Sequence, residues 1–93
     1  MAALDLLGRR WTLRVLWELR GGEALGFREL QSRCDSMSTS VLSQRLSELR
    51  EAGVVELDGA GAYRLSELGA ELEPALAPLD DWAKRWGRAS GTA

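Results

Sequence analysis

Apolar residues recur at helical spacing in four stretches of the chain, and glycines or short polar runs separate them. In the first, Leu4 and Leu7 are followed by Trp11, Leu13, Leu16, Trp17 and Leu19, until Gly21-Gly22 stops the pattern. This predicts a helix over Ala3 to Arg20, which Gly8 can either continue or break. Leu25-Gly26-Phe27 is too short for an independent strand, but it can pair at the edge of a small sheet. A helix from Arg28 to Cys34 follows, with Leu30 and Cys34 turned inward and Glu29 and Arg33 at the favourable i, i+4 spacing outside.

The third stretch is the best specified. Ser38 is a good N-cap, Met37 and Leu42 have the spacing of a hydrophobic staple, and Gly53 sits where a left-handed C′ residue belongs. The predicted helix runs from Thr39 to Ala52. Its apolar side is Leu42, Leu46 and Leu49 with Val41 on the flank, and its polar side is Ser40, Ser43, Gln44, Ser47 and Glu51. Val54, Val55 and Leu57, a turn at Asp58-Gly59-Ala60-Gly61, and Ala62, Tyr63 and Leu65 read as a β-hairpin over residues 54–65. Ser66 can cap a last helix over 67–87, with Leu68, Leu72, Leu76, Leu79, Trp82, Ala83 and Trp86 on one face. Pro74 and Pro78 fall inside it, so a kink or an early break is expected.

Two helices joined by the tight Asp35-Ser36-Met37 turn form a helix-turn-helix pattern. With the hairpin and last helix added, the expected fold is mostly α with a small β-hairpin: a winged helix-turn-helix filling residues 1–88 as one domain, followed by a frayed tail over 89–93. A chain of 93 residues suits a single domain with a modest core.

Particular blocks of the sequence resemble a family. Leu4 to Leu13 (LDLLGRRWTL), Phe27-Arg28-Glu29-Leu30, Val41 to Leu49 (VLSQRLSEL), Gly53-Val54-Val55 and Tyr63 to Gly69 (YRLSELG) are similar to the HxlR-type transcriptional regulators, relatives of the MarR group. The resemblance covers nearly the whole chain. The block at Val41 to Leu49 and the turn from Gly8 to Thr12 are its specific parts, because many unrelated proteins share a winged-helix outline. It implies a homodimeric bacterial repressor or activator, with the helix from Thr39 to Ala52 entering the major groove of a pseudo-palindromic DNA operator.

The residues suit that role chemically. In this docking mode the start of the recognition helix meets base edges, and the small hydroxyls of Ser38, Thr39, Ser40 and Ser43 allow close approach. Gln44 can pair with adenine through two hydrogen bonds, and Arg45 can bond guanine or phosphate. The competing role for Arg45 is a salt bridge to Glu48 or Glu29, and for the whole face an ordinary solvated helix surface.

Net charge at first opposes this reading, since 12 basic and 14 acidic residues leave −2 and a pI near 5.1. The charge is segregated, however. Residues 1–50 hold eight arginines and six acids, a net of +2, and residues 51–93 hold four basic and eight acidic residues, a net of −4. Arg28, Arg33, Arg45 and Arg50 can form a basic rim around the recognition helix. The hairpin departs from the family pattern, being short with Asp58 and no cation at its tip, which leaves Arg64 as its candidate phosphate contact.

Trp11, Trp17, Trp82 and Trp86 are more indole surface than one small core is expected to cover. Leu4, Leu7, Trp11, Leu76, Leu79, Trp82 and Trp86 are therefore the candidate homodimer contacts, with packing of the terminal helices on each other as the alternative. A small-molecule effector of unknown identity could lodge between helices near Trp11 or Trp17. No cysteine stands ahead of the first helix, where oxidant- or aldehyde-sensing family members carry one, and Cys34 reads as a small buried hydrophobe.

Without histidine, no nucleophile–base or metal constellation can be assembled, so neither an enzyme nor a cofactor or metal is expected. Gly59-Ala60-Gly61 reads as a turn, and Asp80-Asp81 as a solvated face. Charges interrupt every apolar run well short of a membrane span, and the residues after Met1 are not those of a secretory leader, so a cytoplasmic protein is expected. The rival function is a winged-helix protein-interaction module that has lost DNA binding, suggested by the acidic pI and the short wing.

Overall fold

The structure is a computed structural model that describes residues 2–90. In order it contains helices α1 (Ala2–Leu7), α2 (Thr12–Glu18), α3 (Phe27–Arg33) and α4 (Thr39–Glu51), strands β1 (Val55–Leu57) and β2 (Tyr63–Leu65), and helices α5 (Glu67–Ala70) and α6 (Glu73–Ser90). A short 3₁₀ turn, Arg20–Gly22, follows α2. The strands pair antiparallel, Val55 opposite Leu65 and Leu57 opposite Tyr63. Leu25 joins the sheet edge through an isolated bridge to Tyr63, as its sequence position suggested. The whole is the expected mostly helical winged helix-turn-helix.

The first predicted helix is two. Gly8 donates its N–H to Leu4 as α1 ends, and Trp11 then takes a left-handed conformation at φ 75° before α2 begins. A turn of this shape re-aims the chain, so α1 and α2 cannot be one rod. α2 stops at Glu18, and the left-handed Gly21 and Gly22 follow in the 3₁₀ turn and at its end.

The last predicted helix is also corrected: the segment 67–87 is α5 and α6, broken at Glu71-Leu72. Pro74 lies in the first turn of α6, where its missing N–H costs nothing, whereas a continuous helix would have needed that donor. Pro78 is accommodated inside α6, which runs on through Ser90. Ala89 and Ser90 are thus helical and not part of a frayed tail; residues 91–93 lie outside the described residues. Smaller adjustments are that α3 begins at Phe27 and ends at Arg33, and that Val54 and Ala62 flank the strands.

One core joins these elements. Val15, Leu16 and Leu19 of α2 and its end, Leu30, Cys34, the α4 triad Leu42, Leu46 and Leu49, Val55, Leu65 and Leu76 are all buried in it. Trp11 and Trp17 are half-buried against that core. Gly69 allows α5 to reach the sheet end: a Cβ there would collide with the Val54 carbonyl oxygen and press on Leu65. Ser66 fastens the same corner, donating its hydroxyl to the Gly53 carbonyl at 2.6 Å and accepting the Gly69 N–H at 3.0 Å.

Candidate nucleic-acid interface

The α4 helix starts as its sequence predicts. Ser38 Oγ accepts the N–H of Val41 at 3.2 Å, and Met37 and Leu42 on either side are both buried. Gly53, at φ 78°, turns the chain out of the helix. Because Leu42, Leu46 and Leu49 all face the core, the opposite surface is committed to solvent: Ser38, Thr39, Ser40, Ser43, Gln44 and Ser47 are exposed along it. This is a row of short polar side chains on a rigidly seated helix.

The seating comes from the preceding turn. Gln31 of α3 donates its amide to the Met37 carbonyl at 2.8 Å and to Thr39 Oγ1 at 3.1 Å, which joins α3 to the first residue of α4. Asp35 and Ser36 take left-handed conformations, at φ 58° and 54°, to make the turn tight. Arg14 of α2 reaches the same place, donating to the Arg33 carbonyl at 2.6 Å and to Asp35 at 3.1 Å while also holding Glu18. The hydrogen bond to Glu18, together with the charges of Asp35 and Glu18, outweighs partial burial and raises the Arg14 pKa above its ordinary value. No sequence signal pointed to either residue: Arg14 acts across 19 and 21 residues, and the Gln31 contacts depend on the exact shape of the turn.

The arginines fall into two groups. Arg33 is held by Glu23 at 3.0 Å and by Glu29 at 3.2 Å, the latter being the predicted i, i+4 pair. These carboxylates, Glu23 foremost, raise its pKa. Arg64 is held across the hairpin by Glu56 at 2.9 Å. Arg45 pairs with Glu48 at 3.2 Å, and both side chains are mostly covered, at 17% and 16% exposure. Arg28 and Arg50 are exposed without an ion-pair partner among the described residues. Of the predicted rim, then, Arg28 on α3 and Arg50 on α4 are exposed and unpaired among the described residues, while Arg33 and Arg45 are already engaged, as is Arg64 of the hairpin.

Glu48 gathers more than Arg45. Its Oε2 accepts the Gln44 amide at 2.9 Å and lies 3.4 Å from an Arg9 guanidinium nitrogen, so the α1–α2 turn touches the middle of α4. The spacing from Gln44 and Arg45 to Glu48 is legible as i, i+4 and i, i+3 helix pairs. The Arg9 contact is not, because only the fold brings it near.

The hairpin tip is built around an acid. Asp58 Oδ1 accepts the N–H groups of Ala60 and Ala62, each at 2.9 Å. Those donors, Ala62 first, hold its carboxyl below the usual carboxylate range.

Among the candidate interface residues, Leu4, Leu79, Trp82 and Trp86 are exposed. Trp82 and Trp86 stack on each other, ring centroids 6.2 Å apart, yet stay 52% and 54% exposed. Leu7 and Trp11 are half-buried against the core. Leu76 is only 6% exposed and belongs to the chain's own core. Cys34 is fully buried, and desolvation pushes its thiol pKa up. No cluster of metal-ligating side chains occurs among the described residues, and Asp80 is paired with Lys84 at 3.0 Å. No described helix is long and apolar enough to cross a membrane.

Comparison with known proteins agrees with this architecture. The family model for HxlR-like helix-turn-helix proteins matches residues 6–90. The chain is 33% identical over 90 residues to the HTH-type transcriptional regulator YvaP of Bacillus subtilis (strain 168), covering 90% of this chain and 82% of that one. Among solved structures it is similar to a possible HxlR family transcriptional factor from Thermoplasma volcanium GSS1, at 30% identity and a TM-score of 0.81, covering 91% of this chain and 81% of the other. It is also similar to quinone-bound YodB from B. subtilis, at 30% identity and a TM-score of 0.80, covering 90% and 92%. Since the match runs from the end of α1 through α4, both strands and α6, the chain belongs to the HxlR-like helix-turn-helix family of transcriptional regulators.

Proposed function

We propose that the protein is a sequence-specific DNA-binding regulator that acts as a homodimer on a pseudo-palindromic operator. The observation that carries this is the solvent face of α4, where a capped start and six short or amide side chains lie opposite a fully buried leucine face. Such a surface enters a major groove without steric conflict and offers hydrogen-bonding groups to base edges. Thr39, Ser40, Ser43 and Gln44 read bases, Ser38 and Arg28 approach phosphate, and Arg50 adds free charge. Arg45 contributes through its pairing with Glu48, and Arg64 meets phosphate only by leaving Glu56.

The exposed Leu79, Trp82 and Trp86, with Leu4 on α1, support a two-fold interface on the face of α6. Two recognition helices related by that axis would address half-sites about one DNA turn, ~34–36 Å, apart.

The test is selection of bound duplexes from a random pool at low salt, followed by affinity measurements on the enriched sequence. An inverted repeat is expected, with affinity falling on a log–log salt slope near −0.9 per phosphate contacted. If no duplex is enriched, or if Thr39→Ala and Gln44→Ala bind as the wild type does, the reading fails.

A second reading adds a small-molecule effector. It is favoured by an open groove of about 540 Å³ between α2 and α6, where Leu13 and Trp17 face Leu76 and Leu79. The solved relative with bound quinone makes quinones and other flat conjugated compounds the first to try. Trp17 lines the groove, so binding should change its fluorescence; a broad aromatic library that leaves emission unchanged removes this reading.

A further inference from the structure

Gln44 and Glu48 of α4 stand in a relationship that restricts what Gln44 can read. A glutamine amide has a donor end and an acceptor end, and in isolation it can turn either one outward. Glu48 removes that choice. Its carboxylate has only lone pairs to offer, so the side chain of Gln44 must give it an N–H, which it does at 2.9 Å. Turning the amide over would set carbonyl oxygen against carboxylate oxygen.

The carboxylate itself is held from two further sides. Arg45 approaches one oxygen at 3.2 Å and Arg9, from the α1–α2 turn, the other at 3.4 Å. Glu48 is mostly covered while Gln44 is exposed. Among the described residues Glu48 Oε1 accepts and Arg45 Nε donates no hydrogen bond, so charge attraction and the Gln44 amide hold the buried end of the network. The free end is the Gln44 carbonyl with its second N–H. In the chain free of DNA, this group is already oriented.

We infer that Glu48 is a positioning residue for base recognition, which holds Gln44 with its amide oxygen outward so that it accepts from the 6-amino group of adenine. Its remaining N–H can then reach adenine N7. This inference rests on the DNA-reading function proposed above. Arg45 and Arg9 act behind Glu48, neutralising it and fixing its rotamer, and need not touch DNA. The arrangement disfavours guanine, whose major-groove edge offers O6 and N7, two acceptors, to a group that leads with an acceptor.

The experiment begins with an operator selected by the wild-type chain, using Gln44→Ala to find the base pair whose preference depends on Gln44. That pair is expected to be A·T. Replacing its adenine by purine, which lacks the amino group, should weaken wild-type binding about ten-fold, the scale of a good base contact. The same replacement should leave Gln44→Ala unaffected. Glu48→Gln, whose amide can present either end to Gln44, should lose most of the discrimination against other bases at that pair. Its salt slope and its discrimination at other pairs should stay as in the wild type, a pattern that general loss of structure would not produce.

A Gln44-dependent pair that is G·C, or an affinity indifferent to removal of the amino group, overturns the inference while DNA binding stands. So does a Glu48→Gln chain with wild-type discrimination. The purine duplex needs no variant, so it decides the orientation of the amide even where Glu48→Gln fails to fold. Failure to enrich any duplex overturns the DNA-reading function itself.

Discussion

Arg14 Nη2 donates to the main-chain carbonyl of Arg33 at 2.6 Å, so a side chain of α2 closes the C-terminal end of α3 at the mouth of the helix-turn-helix turn. The same guanidinium spans to Asp35 and Glu18. Its fork shape is what allows three partners at once, and a lysine cannot reproduce it. Arg14→Lys should therefore destabilise the fold by about 1 kcal/mol, the value expected for charged hydrogen bonds after discounting for partial exposure. A urea midpoint identical to the wild type would contradict this.

Gly69→Ala should be far more damaging than its chemistry suggests. The added methyl meets the Val54 carbonyl, which is main chain and cannot swing away, and lies 3.3 Å from Leu65 Cβ. Overpacking of this kind costs about 1–3 kcal/mol. For a domain of this size each kcal/mol lowers the melting temperature by about 4–8 °C, which calorimetry resolves.

The hairpin tip carries a pH dependence. Hydrogen bonds from Ala62 and Ala60 depress the Asp58 pKa in the folded chain. The stabilisation is therefore present above the ordinary carboxylate pKa, about 4, and is lost as pH falls through the lower folded value. Asp58→Asn should remove that part of the acid sensitivity, so that unfolding curves of variant and wild type converge at acid pH and separate at neutral pH. Parallel curves throughout would show that Asp58 contributes nothing pH-dependent.

Cys34 should behave as a core residue. Buried fully, with its thiol pKa pushed up by desolvation, it lacks both the access and the thiolate that alkylation requires. Iodoacetamide at neutral pH should label the native chain far more slowly than the chain in urea. Comparable rates in both would mean that the helix-turn-helix opens readily.

The Trp82–Trp86 stack is the place to test the proposed homodimer. Trp86→Glu puts a charge on a surface that the fold itself leaves more than half exposed, so the monomer should keep its secondary structure. Sedimentation should show a shift toward monomer, with operator affinity falling because the half-sites are no longer bound together. A variant that sediments and binds as the wild type does would move the interface elsewhere.

Much of the candidate interface was legible along the chain because it depends on local physics. Ser38, Met37, Leu42 and Gly53 announce the start and stop of α4 through capping and left-handed geometry, and the leucine spacing assigns its buried and solvent faces. The hairpin was legible for the same reason, whereas the family blocks were legible only as a resemblance. The division at Gly8 could be placed, but not the left-handed Trp11 that re-aims α2, since only the packing of Trp11 against the core compensates that conformation. Likewise both prolines signalled trouble in the last helix, yet the site of the break depended on Pro74 falling into a first turn that tolerates it.

Charge was where tertiary structure decided most. Along the chain, eight arginines in residues 1–50 read as a common basic rim. Folding sorts them by which acids come within reach: Glu23 arrives beside Arg33, and Glu48 is set between Arg45 and Arg9. Of the predicted rim, Arg28 and Arg50 alone are without an ion-pair partner among the described residues. Composition and periodicity determined the kind of surface this chain presents, because helix faces follow from spacing. Which of its cations and amides are free to meet a partner is a matter of distances between residues far apart in sequence, and only the fold supplies those.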